Sequence, residues 1–397
     1  MTPRVLVATT YYHPVVGGVE THARQVVRHL RARGFPVQVL TKRVAREHKT
    51  EDVVDAVPVH RVGPAGERSG SGKWIALPSF FASVMAMRSA FDVLVCIDYR
   101  GIGVGIVAAG RLLGRPVIVQ AGTAGVLSSP ASGSGLPPES GLDRALRGLP
   151  RAFYRAADHF VCIARDIERE TLAAGVAPER VHYLPHGVDV SRFRPALSPE
   201  RDSLRAGFQW PADKTIVLFV GRLSVEKGVL ELIEAWKILN RRDALLVFVG
   251  PDMPGHPWDA GPAARGFAAN PEFGGTVRVL GATEDPAPFY RAADLFVQPS
   301  RFEAFGISAV EAMASGVAVV ASRVGGLGDF LSHETNALLS EPANPQSLAD
   351  ALRLGLDRPE LRSRLAAAAL RTARERFDER VLLDEYASLI RSAVRAR

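Results

Sequence analysis

Two carboxylates eight positions apart, Glu303 and Glu311, lie in the segment PSRFEAFGISAVEAMASG at 299–316, where a buried-strand pattern gives way to a helical one. The spacing predicts Glu303 in the loop after a strand and Glu311 about one turn into the next helix, so that both point at one small volume. Between them, Phe305-Gly306-Ile307 offers unhindered backbone. Carboxylates accept hydrogen bonds from sugar and ribose hydroxyls, and N–H groups at a helix start suit phosphate. A purely structural reading would make Glu303 a helix cap and Glu311 half of a surface ion pair. A second group lies in VGRLSVEKGVLELIEAW at 220–236. There Gly221 allows a tight turn, and Arg222 and Lys227 precede a helix from about Gly228. Two cations beside a helix N-terminus make a site for a diphosphate. Taken alone, they also fit a solvated loop with incidental basic residues. Near the chain start, Gly17 and Gly18 separate the first strand from the first helix and let backbone approach a phosphate or sugar closely. Glu20 in that first turn complements the helix dipole. Asp98, at the end of VLVCID, suits an acceptor hydroxyl or a structural bond to a neighbouring loop.

Chemistry at such positions needs elements that hold it. Short β-branched runs alternate with helical patterns: RVLVATT at 4–10, PVQVLT at 36–41, DVLVCID at 92–98, PVIVQAG at 116–122 and HFVCIA at 159–164. The rhythm restarts with TIVLFVG at 215, ALLVFVG at 244–250, VRVLGA at 277–282, DLFVQPS at 294–300 and VAVVAS at 317–322. Continuous apolar strands between amphipathic helices predict parallel sheets covered on both faces. The restart predicts two doubly wound α/β domains facing a cleft, joined at LPHGVDVSRFRPALSPE (184–200), where Pro, Gly and polar residues break the periodicity. Ligands of such sheets bind beyond the carboxyl ends of the strands, which is where the candidate residues fall. The run VLSSPASGSGLPPES reads as a mobile loop.

At 397 residues the chain suits two domains, and 47% hydrophobic with 23% charged residues excludes disorder and fibre. Apolar stretches such as Gly101 to Gly110 are too short to span a bilayer, and the start lacks a signal-peptide core, so a cytoplasmic protein is expected. Cys96 and Cys162 sit inside apolar runs and read as core thiols. A net charge of +7 favours anionic partners without choosing among them.

The motifs GGVETHA, HGVDVSRFRP, VGRLSVEKG and the Glu-x7-Glu segment, in this order and spacing, resemble the retaining glycosyltransferases of family 4, whose fold is GT-B, and the resemblance covers nearly the whole chain. It implies an acceptor-side domain at 1–190, a nucleotide-sugar domain at 196–376, and a final helix at 377–397 packing back on the first domain. It further implies that Arg222 and Lys227 hold the diphosphate of a UDP- or GDP-sugar, Glu303 the transferred sugar and Glu311 the ribose. Backbone near Phe305, Gly306 and Ile307 would add phosphate contacts, Leu280-Gly281 would line the base pocket, and Gly18 would lie beside the diphosphate. Arg222, Lys227 and Glu303 are the expected catalytic group, acting by front-face substitution in which the departing diphosphate helps deprotonate the acceptor. One departure stands out: many family members carry a histidine where this chain has Gly122, so no catalytic histidine is assigned, and Gly122 with Asp98 marks the acceptor side.

No Asp-x-Asp motif occurs, His13 and His22 lack ligand-type neighbours at metal spacing, and His186 reads as shaping the turn at the joint. A metal and other cofactors are therefore not expected, nor is nucleic acid, for which only the positive charge speaks. The remaining alternatives are a non-catalytic sugar-nucleotide-binding subunit and a GT-B epimerase or phosphorylase, although nothing marks a pyridoxal-phosphate lysine. Rows of arginine at Arg24, Arg28 and Arg31 and at Arg144, Arg147, Arg151 and Arg155 read as solvated helix faces, with docking of the acceptor side on an anionic membrane as the alternative.

Overall fold

The computed structural model describes residues 2–15, 17–65, 76–98, 101–123, 127 and 148–396, without the side chains of 148–151. The Ser, Gly and Pro-rich run lies outside these residues except for Leu127, as do Arg144, Arg147 and the side chain of Arg151. The chain forms two compact units, residues 1–186 with 380–397, and residues 187–379.

The first unit is built on strands β1 (Val5–Thr9), β2 (Val37–Lys42), β3 (Glu51–Val54), β4 (Val57–Val62), β5 (Val93–Ile97), β6 (Val117–Ala121), β7 (His159–Cys162) and β8 (Val181–Tyr183). They lie in the order β3-β4-β2-β1-β5-β6-β7-β8. Every residue of β1, β5 and β6 is buried, as expected of strands covered on both faces. The chain runs outward from β1 to β2 and then crosses to β5 on the other side of β1. This reversal opens a crevice beyond the ends of β1 and β5. Leu383, Tyr386, Ala387, Leu389 and Ile390 of the final helix (Glu379–Arg395) join the same core as Val5, Val7 and Val27.

One strand pair departs from the expected all-parallel pattern. β3 and β4 form an antiparallel hairpin, closed by Asp55 and Ala56 with φ of 52° and 56°. Two left-handed residues give the turn whose twist matches its strands, although neither is glycine.

The second unit contains β9 (Thr215–Val220), β10 (Ala244–Val249), β11 (Val277–Val279), β12 (Leu295–Gln298), β13 (Ala318–Ser322) and β14 (Leu338–Ser340), all parallel. Their order is β11-β10-β9-β12-β13-β14, so here the reversal falls between β9 and β12. Trp236, Leu232, Phe248 and Leu352 fill one of its faces without exposure. Both units are thus Rossmann-like α/β sheets.

Candidate functional site

The loops after β9 and β12 meet at the reversal of the second unit. Beyond Val220 the chain passes Gly221, whose N–H donates to the Val249 carbonyl (3.0 Å), and reaches Arg222. Ser224 then caps a short turn, Val225–Lys227, by accepting the Lys227 N–H. Gly228 has φ 74°, and a Cβ there would overlap the Pro299 carbonyl oxygen. Only glycine permits both the left-handed backbone and that approach. The approach sets Lys227 against the loop after β12, with Nζ 2.7 Å from Glu303 Oε2.

Glu303 is 8% exposed, and two further donors reach the same oxygen, Gln298 Nε2 at 2.6 Å and Ser300 Oγ at 3.3 Å. Among the described residues no donor reaches Oε1, so one oxygen is fixed by the protein and the other is left for a ligand. The loop is held from its far side by Gly325 (φ 45°), where a Cβ would overlap the Glu303 carbonyl oxygen, and by the Gly326 N–H donating to that oxygen at 3.2 Å. Glu303 therefore forms a buried ion pair instead of a helix cap. Leaving such a charge unpaired is costly, which ties Lys227 and Glu303 together in the resting protein.

Glu311 is the fifth residue of the helix Ile307–Ala314 and accepts a hydrogen bond from the Tyr290 hydroxyl at 2.9 Å. Burial of its carboxyl pushes its pKa up to about 7; the Tyr290 bond and the charge of Arg192 oppose the rise, and Asp285 adds to it. Among the described residues the two glutamates share no hydrogen-bond partner. Phe305 turns inward onto Phe330 and Phe377, with ring centres 5.4 and 5.7 Å away, so toward the loop it presents only backbone. Gly306 (φ 100°) precedes the helix, whose first amides, those of Ile307 and Ser308 among them, have no intrahelical acceptor. Arg222 is not part of the Lys227–Glu303 pair; its half-exposed guanidinium lies 3.4 Å from Glu226. Leu280, 43% exposed, and Gly281 follow β11, and the Gly281 carbonyl accepts the Gly250 N–H at 2.7 Å. This places them beside the end of β10.

In the first unit, Gly18 begins the first helix, Gly18–Ala32. Asp98 follows β5 with φ 52°, and a Cβ on Gly122, after β6, would lie 3.5 Å from Asp98 Oδ1 and 3.4 Å from Val19 Cγ2. The structure thus brings Asp98, Gly122 and the helix start together. Deeper, His22 Nε2 lies 3.3 Å from Gln120 Oε1 and its ring stands edge-on to His186 at 4.1 Å. Burial lowers the pKa of His22 to about 4 and that of His186 well below the usual range, so both rings are neutral near pH 7. Arg24 pairs with Asp55 at 2.6 Å, and Val26, Val27 and Leu30 of the same helix are core residues. Among the described residues no group of three or more His, Cys, Asp or Glu is placed to hold a metal, and no helix is long and apolar enough to cross a membrane.

Gln298, Ser300 and Tyr290 complete the site, and sequence reasoning had singled out none of them. The one available signal was Gln298 itself, a polar residue closing the otherwise apolar run LFVQ directly before the glutamate loop.

Comparison with known proteins gives this geometry a context. A profile described as glycosyl transferases group 1 matches residues 200–372, and one described as Glycosyltransferase Family 4 matches residues 16–192. The chain is 31% identical to D-inositol 3-phosphate glycosyltransferase 1 of Catenulispora acidiphila over 95% of its length and 91% of that protein. The chain belongs to glycosyltransferase family 4. A D-inositol 3-phosphate glycosyltransferase from Xylanimonas cellulosilytica is 32% identical over 97% of this family 4 chain and 96% of the relative. The fold is that of solved GT-B enzymes. Sucrose-phosphate synthase from Thermosynechococcus elongatus superposes with a TM-score of 0.83 at 22% identity, covering 99% of this chain and 100% of that one. Anabaena HepE, solved with UDP and glucose, gives 0.78 at 21% identity, covering 98% and 100%.

Proposed function

We propose that this glycosyltransferase moves a hexose or related sugar from a UDP- or GDP-sugar to a hydroxyl of an anionic acceptor, with retention at the anomeric carbon and without a metal. The observation that carries the reading is the Lys227–Glu303 pair at the β9/β12 reversal, with Gln298 and Ser300 donating to the same Glu303 Oε2 that Lys227 reaches. Lys227 and Arg222 bind the diphosphate and stabilise the charge that grows on it as the glycosidic bond breaks. Glu303 Oε1 receives hydroxyls of the transferred sugar, Glu311 receives the ribose, and the first amides of the helix Ile307–Ala314 meet phosphate oxygens. Leu280 with Gly281 lines the base. The diphosphate takes up the acceptor proton as it leaves, so no protein carboxylate is needed as nucleophile.

An anionic acceptor is suggested by charge. Residues 1–186 with 380–397 hold 27 of the 49 Lys and Arg but 17 of the 42 Asp and Glu, a net +10 against −3 for residues 187–379. The names of the relatives above pair transfer with an inositol phosphate. Asp98 and Gly122 lie on that side. Incubation with UDP- and GDP-sugars and D-inositol 3-phosphate, in the presence of EDTA, tests the reading, with product anomer read by NMR. The expected product keeps the donor's anomeric configuration. An inverted product, or activity abolished by EDTA and restored by magnesium or manganese, would refute retention or metal independence respectively. Absence of both transfer and donor hydrolysis would favour a non-catalytic binding subunit. Co-sedimentation with anionic vesicles at low salt separates a soluble acceptor from one in a membrane.

A further inference from the structure

Glu311 stands in a position that is awkward for a carboxylate. Its helix, Ile307–Ala314, packs its neighbours Val310 and Ala312 into the core, and the carboxyl reaches the single hydrogen-bonding group that the second unit offers it, the Tyr290 hydroxyl at 2.9 Å. Tyr290 is fully buried, its ring set between Phe193 and Phe296 with centres 5.9 and 5.5 Å away. The Ser308 side chain acts on the Tyr290 hydroxyl as well, lowering its pKa slightly against the burial and the Glu311 charge that raise it.

We propose that Tyr290 is a positioning residue that holds Glu311 ionised and in one rotamer for the donor nucleotide, a proposal that rests on the reading of Glu311 as the ribose acceptor given above. A carboxylate that is to receive two ribose hydroxyls must act as acceptor only, whereas a protonated one offers a donor where an acceptor is needed. Tyr290 occupies Oε2 with a donor, which favours the ionised form and leaves Oε1 for the ligand. Two charges that pair with one another at 2.8 Å face Glu311: Arg192 favours the anion and Asp285, the weaker influence, opposes it. The phenol is pushed well above its usual range, so it remains a donor across the working pH range. With Glu311 titrating at about 7, loss of one hydrogen bond to the charged form is enough to change its state at neutral pH.

The test is isothermal titration of UDP and GDP from pH 5.5 to 9 against the full chain and its Tyr290→Phe, Ser308→Ala and Glu311→Gln variants, with thermal melts to confirm folding. For the unaltered chain, affinity is expected to fall on acidification with a midpoint near pH 7. Tyr290→Phe, which keeps the packed ring, is expected to raise the midpoint by about one unit, to weaken binding about fivefold at pH 7 and to recover most of the loss by pH 9. Ser308→Ala moves the midpoint the same way by less. The nucleotide's terminal phosphate titrates near about 6, and the Glu311→Gln profile supplies that component. A Tyr290→Phe loss that is uniform across pH, with the midpoint unmoved, would overturn the positioning role while leaving the ribose reading intact. Glu311→Gln binding as tightly as the unaltered chain would remove the ribose reading itself, and the proposal with it.

Discussion

The same topological feature occurs twice in this protein and is furnished in two different ways. In the first unit the sheet reverses at β1 and β5, and the loops there present glycine backbone at Gly17 and Gly18, and Asp98 beside Gly122. Below them lie two histidines that burial keeps neutral. In the second unit the reversal at β9 and β12 presents Lys227 bonded to Glu303, with Gln298 and Ser300 behind the carboxylate. One crevice has its charges already paired and oriented; the other lies in the unit that carries a net charge of +10. A diphosphate leaving group gains charge at a defined place and needs preorganised partners there. An acceptor that is anionic overall needs mainly a favourable field and a hydroxyl held at the right distance.

The sharpest break of this comparison is removal of the fixed cation. Lys227→Ala should lower turnover by about 10²–10³, because it deletes the charge proposed to act on the leaving group and leaves Glu303 buried without that cation. Arg222→Ala, at a half-exposed and loosely paired side chain, should cost at least about tenfold. Melting curves close to those of the unaltered chain are expected for Arg222→Ala. Near-normal turnover in both variants would leave the two crevices without their proposed difference.

The first unit makes the opposite kind of prediction, about stability. His22 has its folded pKa lowered to about 4, while an unfolded histidine titrates near 6.5, so the unfolded chain binds the proton first. The stabilisation is complete above about pH 6.5 and is lost as pH falls toward 4, by up to about 3 kcal/mol. Urea unfolding followed at pH 4.5 and 7 should show this slope, and His22→Gln should flatten it. An unchanged slope in His22→Gln would mean that the ring is not held neutral.

A smaller effect is expected from Glu303→Gln. The variant keeps the shape but gives the ion pair only an amide oxygen and places an amide donor beside sugar hydroxyls, so transfer should fall about tenfold with nucleotide affinity retained. Nucleotide affinity falling in step with transfer would move Glu303 from the sugar to the nucleotide.

What could be read from the sequence follows the range of the interactions. The buried parallel strands and the placement of Glu303 in a loop and Glu311 in the following helix depend on neighbours a few residues apart, and apolar runs with glycine punctuation report them directly. The pairing of Lys227 with Glu303 depends on Gly228 abutting Pro299, a contact between distant loops that leaves no local trace. Tyr290 looks like ordinary core in the helix Ala287–Ala292, and Gln298 looks like the end of a strand; their roles come from which carboxylate each one reaches. The β3–β4 hairpin was obscured for a different reason: Asp55 and Ala56 take the left-handed conformations that Asn-Gly or Asp-Gly would have advertised. His22 and His186, far apart in the chain, become a buried pair only through the fold.

The central claim is that Lys227 acts on the diphosphate of the donor, and comparing UDP with uridine, and GDP with guanosine, as ligands of Lys227→Ala tests it most directly. Calorimetric affinity for the preferred diphosphate is expected to fall at least about tenfold while affinity for its nucleoside is unchanged. Equal losses for diphosphate and nucleoside, or no loss for either, would contradict it.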